Sequence, residues 1–318
     1  MQGRQLKYWR AALVGVVCSV IIYPSLATAN QSMLSGNLSS AGSDTMVNLM
    51  SLWSANFSQD NPNVNVQLQA AGSSSAPTAL AAGAAQLGPM SRPMKAAEVS
   101  AFEQRYGYPP LAVPVALDAL VVLVHQDNPL REISFNQLDS LYSTTLRCGE
   151  ASPITHWKKL GLGGEWKSRA ISLYGRNSAS GTYGYFKQQV LCDGDFSPRV
   201  NELPGSASVV QAVAGSLNSI GYASIGFRAS GVRTLAVSKF GSPAVEPTAE
   251  NIVQGRYPLV RHLYIYVNKA PGRPLSPLTA AFMDSVLSEQ GQKLVLQDGY
   301  MPLSAADIAR VRAELGLK

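Results

Sequence analysis

Two spacings of hydrophobic residues alternate along the chain. Residues 64–68 alternate apolar and polar side chains, which is the period of a half-buried strand. Residues 46–57 carry apolar side chains three and four positions apart, which is the period of a helix with one buried face. A continuous apolar run over 119–124 is typical of a buried strand in a parallel sheet. Strands that alternate with helices in this way predict an α/β fold with parallel sheet.

Short turns rich in glycine and serine join predicted strands to the helices that follow them. Residues 43–45 (Ser-Asp-Thr) come directly before the helix over 46–57. Residues 72–75 (Gly-Ser-Ser-Ser) come directly before an alanine-rich helix that extends to Ala85. Each turn therefore belongs to a strand, turn and helix arrangement, in which hydroxyl groups stand at the start of the helix.

The most informative turn spans residues 176–182, Arg-Asn-Ser-Ala-Ser-Gly-Thr, between an apolar strand over 171–174 and a helix over 182–191. The start of a helix leaves backbone N–H groups without helical partners, and the helix dipole favours a bound anion there. Arg176 adds a planar fork of donors that suits a tetrahedral oxyanion. A surface turn with an ordinary Ser or Thr helix cap is the alternative.

A fourth element, residues 88–93, carries Ser91 and Arg92 just before a helix predicted over 95–106. A helix cap explains each Ser/Thr cluster equally well when the cluster is taken alone. Turns of this kind collect beyond the carboxyl ends of strands in an open α/β sheet. Four such elements, two of them with an arginine, therefore predict one cleft that binds an oxyanion.

The N-terminus has the pattern of a secretory signal. Three basic residues precede an apolar run over 11–23, and a small-x-small motif ends at Ala29. We therefore predict a signal peptide over 1–29, cleaved near Ala29, and a periplasmic or secreted mature chain of about 290 residues. A retained membrane anchor is the alternative, which the shortness of the apolar run disfavours.

Charge and cysteine content narrow the class further. The formal net charge is +6, and three of the basic residues belong to the predicted signal peptide. The remaining excess is mild and dispersed, so we expect no nucleic-acid partner. In an exported chain Cys148 and Cys192 are expected to form a disulfide, with two free thiols as the alternative.

The sequence lacks the common motifs of catalytic and metal-binding sites. The three histidines, His125, His156 and His262, do not stand in a metal-ligand spacing, and there is no Cys/His cluster. Neither the Gly-x-Ser-x-Gly turn of a hydrolase nor a Walker phosphate loop is present. Asp118, inside an apolar run, is interpreted as structural, with a functional carboxylate as the alternative. We therefore expect no enzyme activity, no metal and no cofactor.

Taken in order, these elements resemble the periplasmic phosphate-binding proteins of the Pst ABC transporter. The resemblance covers nearly the whole mature chain. Its most specific part is the family's R-x-x-x-S-G-T phosphate loop, matched by Arg176, Ser180, Gly181 and Thr182. The other matching segments are residues 41–45, 72–74, 88–93, 220–222, 257–259 and 263–268.

The resemblance implies a two-lobed α/β fold, with a mixed, mostly parallel sheet in each lobe and a ligand cleft between the lobes. It implies that lobe I comprises residues 30–120 and 264–318 and that lobe II comprises residues 121–263, with crossing strands as the hinge. The ligand residues expected for phosphate are Ser43, Asp44, Thr45, Ser73, Ser74, Ser91, Arg92, Arg176, Ser180, Gly181 and Thr182.

The function implied is that of a monomeric solute-binding protein, which captures inorganic phosphate and delivers it to an ABC permease in the cytoplasmic membrane. A receptor for another tetrahedral oxyanion, such as sulfate or molybdate, is the first alternative. A phosphoester hydrolase is the second, although a hydroxyl nucleophile needs a paired base and none is evident. A secreted adhesion protein on the same fold is the third.

One departure from the family concerns the acceptor for the ligand's proton. Where the best-known members carry an aspartate, this chain has Ser91 followed by Arg92, and Asp44 stands where those members have an uncharged residue. We therefore predict that Asp44 accepts the proton of hydrogen phosphate, which sulfate cannot offer. An aspartate that caps its own helix is the alternative.

Overall fold

The computed structural model describes residues 34–149, 151–227 and 229–317. The predicted signal peptide and its cleavage site lie outside the described residues. Within these ranges the strands are β1 (Gly36–Ala41), β2 (Val64–Gln69), β3 (Leu87–Met90), β4 (Leu111–His125), β5 (Glu132–Ser134), β6 (Ser172–Arg176), β7 (Val200–Leu203), β8 (Ser219–Ser224), β9 (Val232–Thr234), β10 (Ala236–Ser238) and β11 (Val260–Val267).

The α-helices in the same ranges stand mostly between these strands, as the alternating pattern predicts. They are α1 (Val47–Asp60), α2 (Ala76–Ala82), α3 (Ala96–Tyr106), α4 (Phe135–Tyr142), α5 (Gly181–Val190), α6 (Ser206–Ala214), α7 (Ala249–Val253), α8 (Pro277–Leu287), α9 (Glu289–Gln297) and α10 (Ala305–Leu315). Short 3-10 turns precede α1 and α2, at Asp44–Met46 and Ser73–Ser75. None of the helices in the described ranges has the length and apolar character needed to cross a membrane.

Nine strands form one sheet in the order β2-β1-β3-β11-β4-β8-β6-β7, with β9 paired to β4 as well. The long strand β4 joins two parts of this sheet. Ala119 is opposite Val260 of β11, whereas the next residue, Leu120, is opposite Ser224 of β8. The first half of the sheet is defined here as β2, β1, β3, β11 and β4 up to Ala119. The second half is the rest of β4 with β8, β6, β7 and β9.

Strand direction is mixed within each half. β1 is parallel to β2 and β3, and β6 is parallel to β7 and β8. β4 is antiparallel to both β11 and β8, so the expectation of a parallel strand over 119–124 is wrong. The residues of this run are at most 2% exposed. Burial on both faces, which is also usual in parallel sheets, explains the continuous apolar run without reference to strand direction.

The apolar stripe predicted over residues 46–57, which begins one residue before α1 and continues along it, is confirmed as part of the hydrophobic core. Leu49, Met50, Trp53 and Phe57 are at most 3% exposed, and Trp53 Nε1 donates to the carbonyl of Gly291, 2.9 Å away. Burial of such side chains stabilises the fold by about 1.5 to 3 kcal/mol each. α1 is thereby held against the C-terminal helices, and the turn in front of it has a fixed position.

The expected disulfide is present between Cys148 and Cys192, whose Cα atoms are 5.7 Å apart. Cys192 follows the end of α5, the helix that begins at the predicted phosphate loop. The bridge closes a loop with a sequence separation of 44 residues, which stabilises the folded state by about 3 to 4 kcal/mol in the chain-entropy description. It holds the far end of α5 to the segment that follows α4.

Candidate functional site

Turns from the two halves of the sheet meet beyond the ends of their strands. The hydroxyl oxygens of Thr45, after β1, and Thr182, at the start of α5, lie 3.1 Å apart. The backbone N–H of Ser74, after β2, donates to the carbonyl of Ala179, 3.2 Å away. The turns singled out from the sequence therefore converge, although 137 residues separate the two threonines.

Glycine makes this close approach possible at two positions. A Cβ atom on Gly181 would stand 2.4 Å from Ser73 Oγ and 2.5 Å from Ser91 Oγ. A Cβ atom on Gly72, where φ is +112°, would stand 2.6 Å from the carbonyl oxygen of Ala179. Side chains larger than hydrogen would force the two halves apart at both points, so these glycines are needed for the narrow cleft.

Arg176 is the last residue of β6 and is fully buried. Its Nη1 donates to Ser206 Oγ at 3.0 Å, its backbone N–H donates to Tyr222 Oη at 3.3 Å, and its Nη2 forms an ion pair with Asp44. Burial lowers the pKa of the guanidinium, and the Asp44 carboxylate opposes that shift. Nε of Arg176 is buried without a hydrogen-bond partner among the described residues.

Asp44 directs its carboxylate at the second half of the sheet. Oδ2 pairs with Arg176, and Oδ1 is buried without a partner in the described part of the chain. The residue at the cap position of the following 3-10 turn is Ser43, which makes no side-chain capping hydrogen bond. Asp44 is thus paired across the two halves, and its part in ligand binding stays a prediction.

Some hydroxyl groups of the turns have hydrogen-bond partners among the described residues and others do not. Ser180 caps α5, since its Oγ accepts the N–H of Thr182 at 3.1 Å. Ser73 Oγ accepts the N–H of Ser91 at 3.1 Å and lies 3.2 Å from Ser91 Oγ. Ser43 Oγ, by contrast, is buried without a partner among the described residues. All four side chains are at most 1% exposed, so they face the cleft or the sheet.

Two of the predicted ligand residues, Arg92 and Ser74, differ from the others in their hydrogen-bond partners or in their exposure. The Arg92 guanidinium donates to both carboxylate oxygens of Glu98 at 2.7 Å, and also to Ser74 Oγ at 3.3 Å and to the carbonyl of Pro93 at 2.9 Å. Burial raises the pKa of Glu98, but hydrogen bonds from Arg92 and Lys95 and the charge of Arg92 outweigh burial and leave that pKa below its ordinary value. Ser74 is exposed. Both amino groups of Arg92 are therefore engaged by neighbours in the first half of the sheet.

A second ion pair at the cleft was missed in the ligand set expected from the sequence. Arg261 Nε and Nη2 lie 2.9 and 2.7 Å from Asp118 Oδ2, and Nη2 also donates to Thr182 Oγ1 at 2.8 Å. The matching segments 257–259 and 263–268 lie on either side of Arg261 but do not include it. The available signal was a pair of opposite charges, each inside an apolar strand, where an unpaired charge is rarely buried.

Four buried polar atoms of these connected residues lack a hydrogen-bond partner in the described part of the chain. They are Ser43 Oγ, Asp44 Oδ1, Arg176 Nε and Arg261 Nη1. Two are cationic donors, one is a hydroxyl and one is a carboxylate oxygen. This set suits a tetrahedral oxyanion that carries a proton, because the donors bind its oxygens and the carboxylate accepts its O–H. The described residues contain no cluster of His, Cys, Asp and Glu that could hold a metal.

Comparison with known proteins gives matches over most of the chain. A family model described as a PBP superfamily domain matches residues 27–290. The chain is 53% identical over 310 residues, 96% of each protein, to the phosphate-binding protein PstS of Pseudomonas aeruginosa. It is 27% identical over 281 residues to PstS of Bacillus subtilis, covering 87% of this chain and 84% of that protein.

Among solved structures, the chain is similar to a putative phosphate ABC transporter substrate-binding protein with bound phosphate from Clostridium perfringens. The two are 25% identical with a TM-score of 0.71, over 85% of this chain and 100% of that one. An ABC-type phosphate transport receptor from Vibrio cholerae, 22% identical with a TM-score of 0.66 over 84% of this chain and 100% of that one, shares the fold. The α/β fold of a two-lobed binding protein, expected from the sequence, is confirmed.

Proposed function

The chain belongs to the PBP superfamily and, within it, to the family of PstS phosphate-binding proteins, and from this premise we propose that it captures inorganic phosphate for an ABC permease. Binding is noncovalent, at the turns where the two halves of the sheet meet. The observation that carries the proposal is the Arg176–Asp44 ion pair across these halves, in which one donor and one acceptor have no hydrogen-bond partner within residues 34–149, 151–227 and 229–317.

We assign the role of each residue in phosphate binding from the chemistry of its side chain. Arg176, the hydroxyls of residues 43, 45, 180 and 182, and the backbone N–H groups of residues 44, 45 and 181 donate to the phosphate oxygens. Asp44 accepts the ligand's proton and thereby disfavours sulfate, which has none to offer at neutral pH. Ser73 and Ser91 support this arrangement beside Gly181. Arg92, which is committed to Glu98, supports the first half rather than the anion.

Cleft closure is part of the proposal. If residues 30–120 and 264–318 form one lobe and 121–263 the other, phosphate bridges them and favours a closed state. The contact between Thr45 and Thr182 supports this account, since each threonine belongs to a different half. X-ray scattering should then show a smaller radius of gyration with saturating phosphate, and identical curves would contradict closure.

We further propose that the mature protein acts in the periplasm as a monomer, after removal of residues 1–29, and has no enzyme activity. The Ser43 hydroxyl accepts no hydrogen bond and donates none among the described residues, and the carboxylate of Asp44, next to it in sequence, is already paired with Arg176. A chromogenic phosphate monoester should therefore be turned over no faster than in buffer. Loss of phosphate uptake in cells that lack the protein would support the transport role.

Calorimetric titration of the mature protein with phosphate, sulfate and molybdate tests the proposal directly. We expect saturable binding of one phosphate, with sulfate and molybdate weaker by at least roughly a hundredfold, because neither offers a proton to Asp44. Tighter binding of sulfate or molybdate would assign the site to a different oxyanion. Absence of any binding of phosphate would contradict the proposed function.

A further inference from the structure

A second buried guanidinium, that of Arg261, stands beside the one proposed to hold phosphate. Arg261 on β11 is directly opposite Asp118 on β4, so the antiparallel register of the two strands brings these charges together. Nε and Nη2 of Arg261 lie 2.9 and 2.7 Å from Asp118 Oδ2. The two side chains are 3% and 0% exposed. One edge of the guanidinium is therefore fixed by the carboxylate.

The rest of the guanidinium is directed at the turn that opens α5. Nη2 of Arg261 donates to Thr182 Oγ1 at 2.8 Å, and that oxygen lies 3.1 Å from Thr45 Oγ1. Nη1, which carries two N–H bonds, is buried and has no partner among the described residues. Because Nη1 and Nη2 share one carbon atom, the unpaired donor stands within a few ångströms of the Thr182 hydroxyl. A buried cationic donor of this kind calls for an acceptor.

A chain of further hydrogen bonds holds Asp118 of this pair in place. Ser224 Oγ donates to Asp118 Oδ1 at 2.7 Å and lies 3.2 Å from Tyr300 Oη. Tyr300 Oη in turn donates to the carbonyl of Thr45 at 2.8 Å. Asp118 is thus satisfied at both oxygens without any contribution from Arg261 Nη1. The unpaired donor is not needed to hold the strands together.

The charges of the two arginines act on one another. Burial lowers the pKa of Arg176, Asp44 opposes that shift, and the positive charge of Arg261 lowers the pKa further. Each guanidinium has its own carboxylate, Asp44 for one and Asp118 for the other. Each also has one buried nitrogen without a hydrogen-bond partner among the described residues, so the two guanidinium groups are suited to two oxygens of a single anion.

We propose that Arg261 is a second phosphate-binding arginine, whose Nη1 donates to an oxygen of the anion that Arg176 also holds. Asp118 and Thr182 fix the plane of its guanidinium before the ligand arrives. This inference rests on the proposed function and adds to it a ligand from β11, in the first half of the sheet. It makes a residue of a strand, as well as the turns, part of the binding site.

The test is calorimetric titration of phosphate into the mature protein and a set of variants. Arg261→Lys keeps a cation beside Asp118 but lacks the second amino group. Asp118→Asn combined with Arg261→Gln removes both charges and leaves no unpaired buried ion. Arg233→Met is the matched control, since Arg233 is a partly buried arginine on β9, held by the carbonyls of Asn128 and Leu130 rather than by the turns of the candidate site.

We expect Arg261→Lys and the double variant to bind phosphate roughly 10- to 100-fold more weakly than wild type, while Arg233→Met stays within about twofold. The rise in melting temperature on addition of phosphate should shrink in the same two variants, because it depends on ligand affinity. A folded double variant, or Arg261→Lys, with wild-type affinity would overturn the inference. Failure of wild type to bind phosphate would instead overturn the proposed function, and the inference with it.

A Thr182→Val background separates direct contact from an effect passed through Thr182. If Arg261 donates to the anion itself, Arg261→Lys should weaken phosphate binding by a further tenfold or so in this background. If Arg261 serves only to orient the Thr182 hydroxyl, Arg261→Lys should have no additional effect there. The second result would contradict the contact proposed for Nη1.

Discussion

Arg176 and Arg92 invite comparison because both are buried arginines paired with a carboxylate near the same cleft. Arg92 pairs with Glu98, six positions along the chain, and its amino groups are also used by Ser74 and Pro93. Arg176 pairs with Asp44, 132 positions away in the other half of the sheet, and its Nε has no partner among the described residues.

Burial and charge do not distinguish these two regions, since the residues are 0% and 6% exposed. Two other features do. The Arg92 pair is local and its terminal donors are all engaged, so it stabilises the first half. The Arg176 pair spans the halves, and in the described part of the chain one of its donors and one of its carboxylate oxygens have no hydrogen-bond partner. Unused polar atoms, rather than the presence of an arginine, mark the region that can bind an anion.

The largest effect is expected from the loss of the arginine that spans the halves. Arg176→Ala should weaken phosphate binding by about 3 kcal/mol, a factor of somewhat more than a hundred, because a charge-assisted contact is lost and Asp44 is left facing the anion. Arg176→Lys should recover part of the loss. Calorimetric titration measures the phosphate affinity of both variants. Wild-type affinity in Arg176→Ala would show that Arg176, like Arg92, does not bind the anion.

The second effect should appear in stability rather than in binding. Arg92→Met leaves the carboxylate of Glu98 without its cation and should lower the free energy of unfolding by about 2 kcal/mol. Phosphate affinity should fall by less than roughly tenfold, since no unused donor is lost. Urea denaturation and titration of the same variant check the two statements. A loss of affinity as large as that of Arg176→Ala would return Arg92 to the set of ligands.

A matched pair of carboxylate-to-amide variants sharpens the comparison further. Asp44→Asn should narrow the ratio of phosphate to sulfate affinity by roughly tenfold, because an amide no longer repels sulfate and accepts the phosphate proton less well. Glu98→Gln, in the pair that is already saturated, should leave this ratio unchanged. Titrations of both variants with both anions decide the matter, and an equal ratio in wild type and Asp44→Asn would assign the selectivity to other residues.

The smallest effect concerns pH. The pKa of Glu98 is below its ordinary value in the folded state. Its contribution to stability is therefore fully present above the pKa of the unfolded chain and is lost as pH falls through the folded pKa. The difference in melting temperature between wild type and Glu98→Gln should narrow between about pH 6 and about pH 3. A difference that widens on acidification would have the wrong sign for this pair.

Local patterns were sufficient to predict the turns but not their partners. The helix start at Ser180 to Thr182 is visible in a seven-residue motif, and its capping hydrogen bond follows from that motif. The Arg176–Asp44 contact joins residues that no motif relates, and it arises only when the two halves of the sheet meet. The identity of Asp44 as a candidate was accessible because it departs from the family pattern.

Strand direction and strand register could not be predicted from the sequence, because they too depend on contacts between distant parts of the chain. The apolar run over 119–124 reflects burial on both faces, which antiparallel and parallel strands share when helices cover them. The pairing of Asp118 with Arg261 depends on the register of two strands that are distant along the chain. Opposite charges inside two apolar strands indicate that a pair exists, but only the register shows which residues form it and that Thr182 lies beside them.

The central claim is that one phosphate bridges the two halves at Asp44 and Arg176. A crystal structure of the mature protein grown with phosphate tests it most directly. We expect a single tetrahedral ligand in contact with Asp44 and Thr45 on one side and with Arg176 and Thr182 on the other, while Arg92 remains paired with Glu98. A phosphate bound to Arg92, or one that contacts residues of one half alone, would show that the anion does not bridge the halves at Asp44 and Arg176.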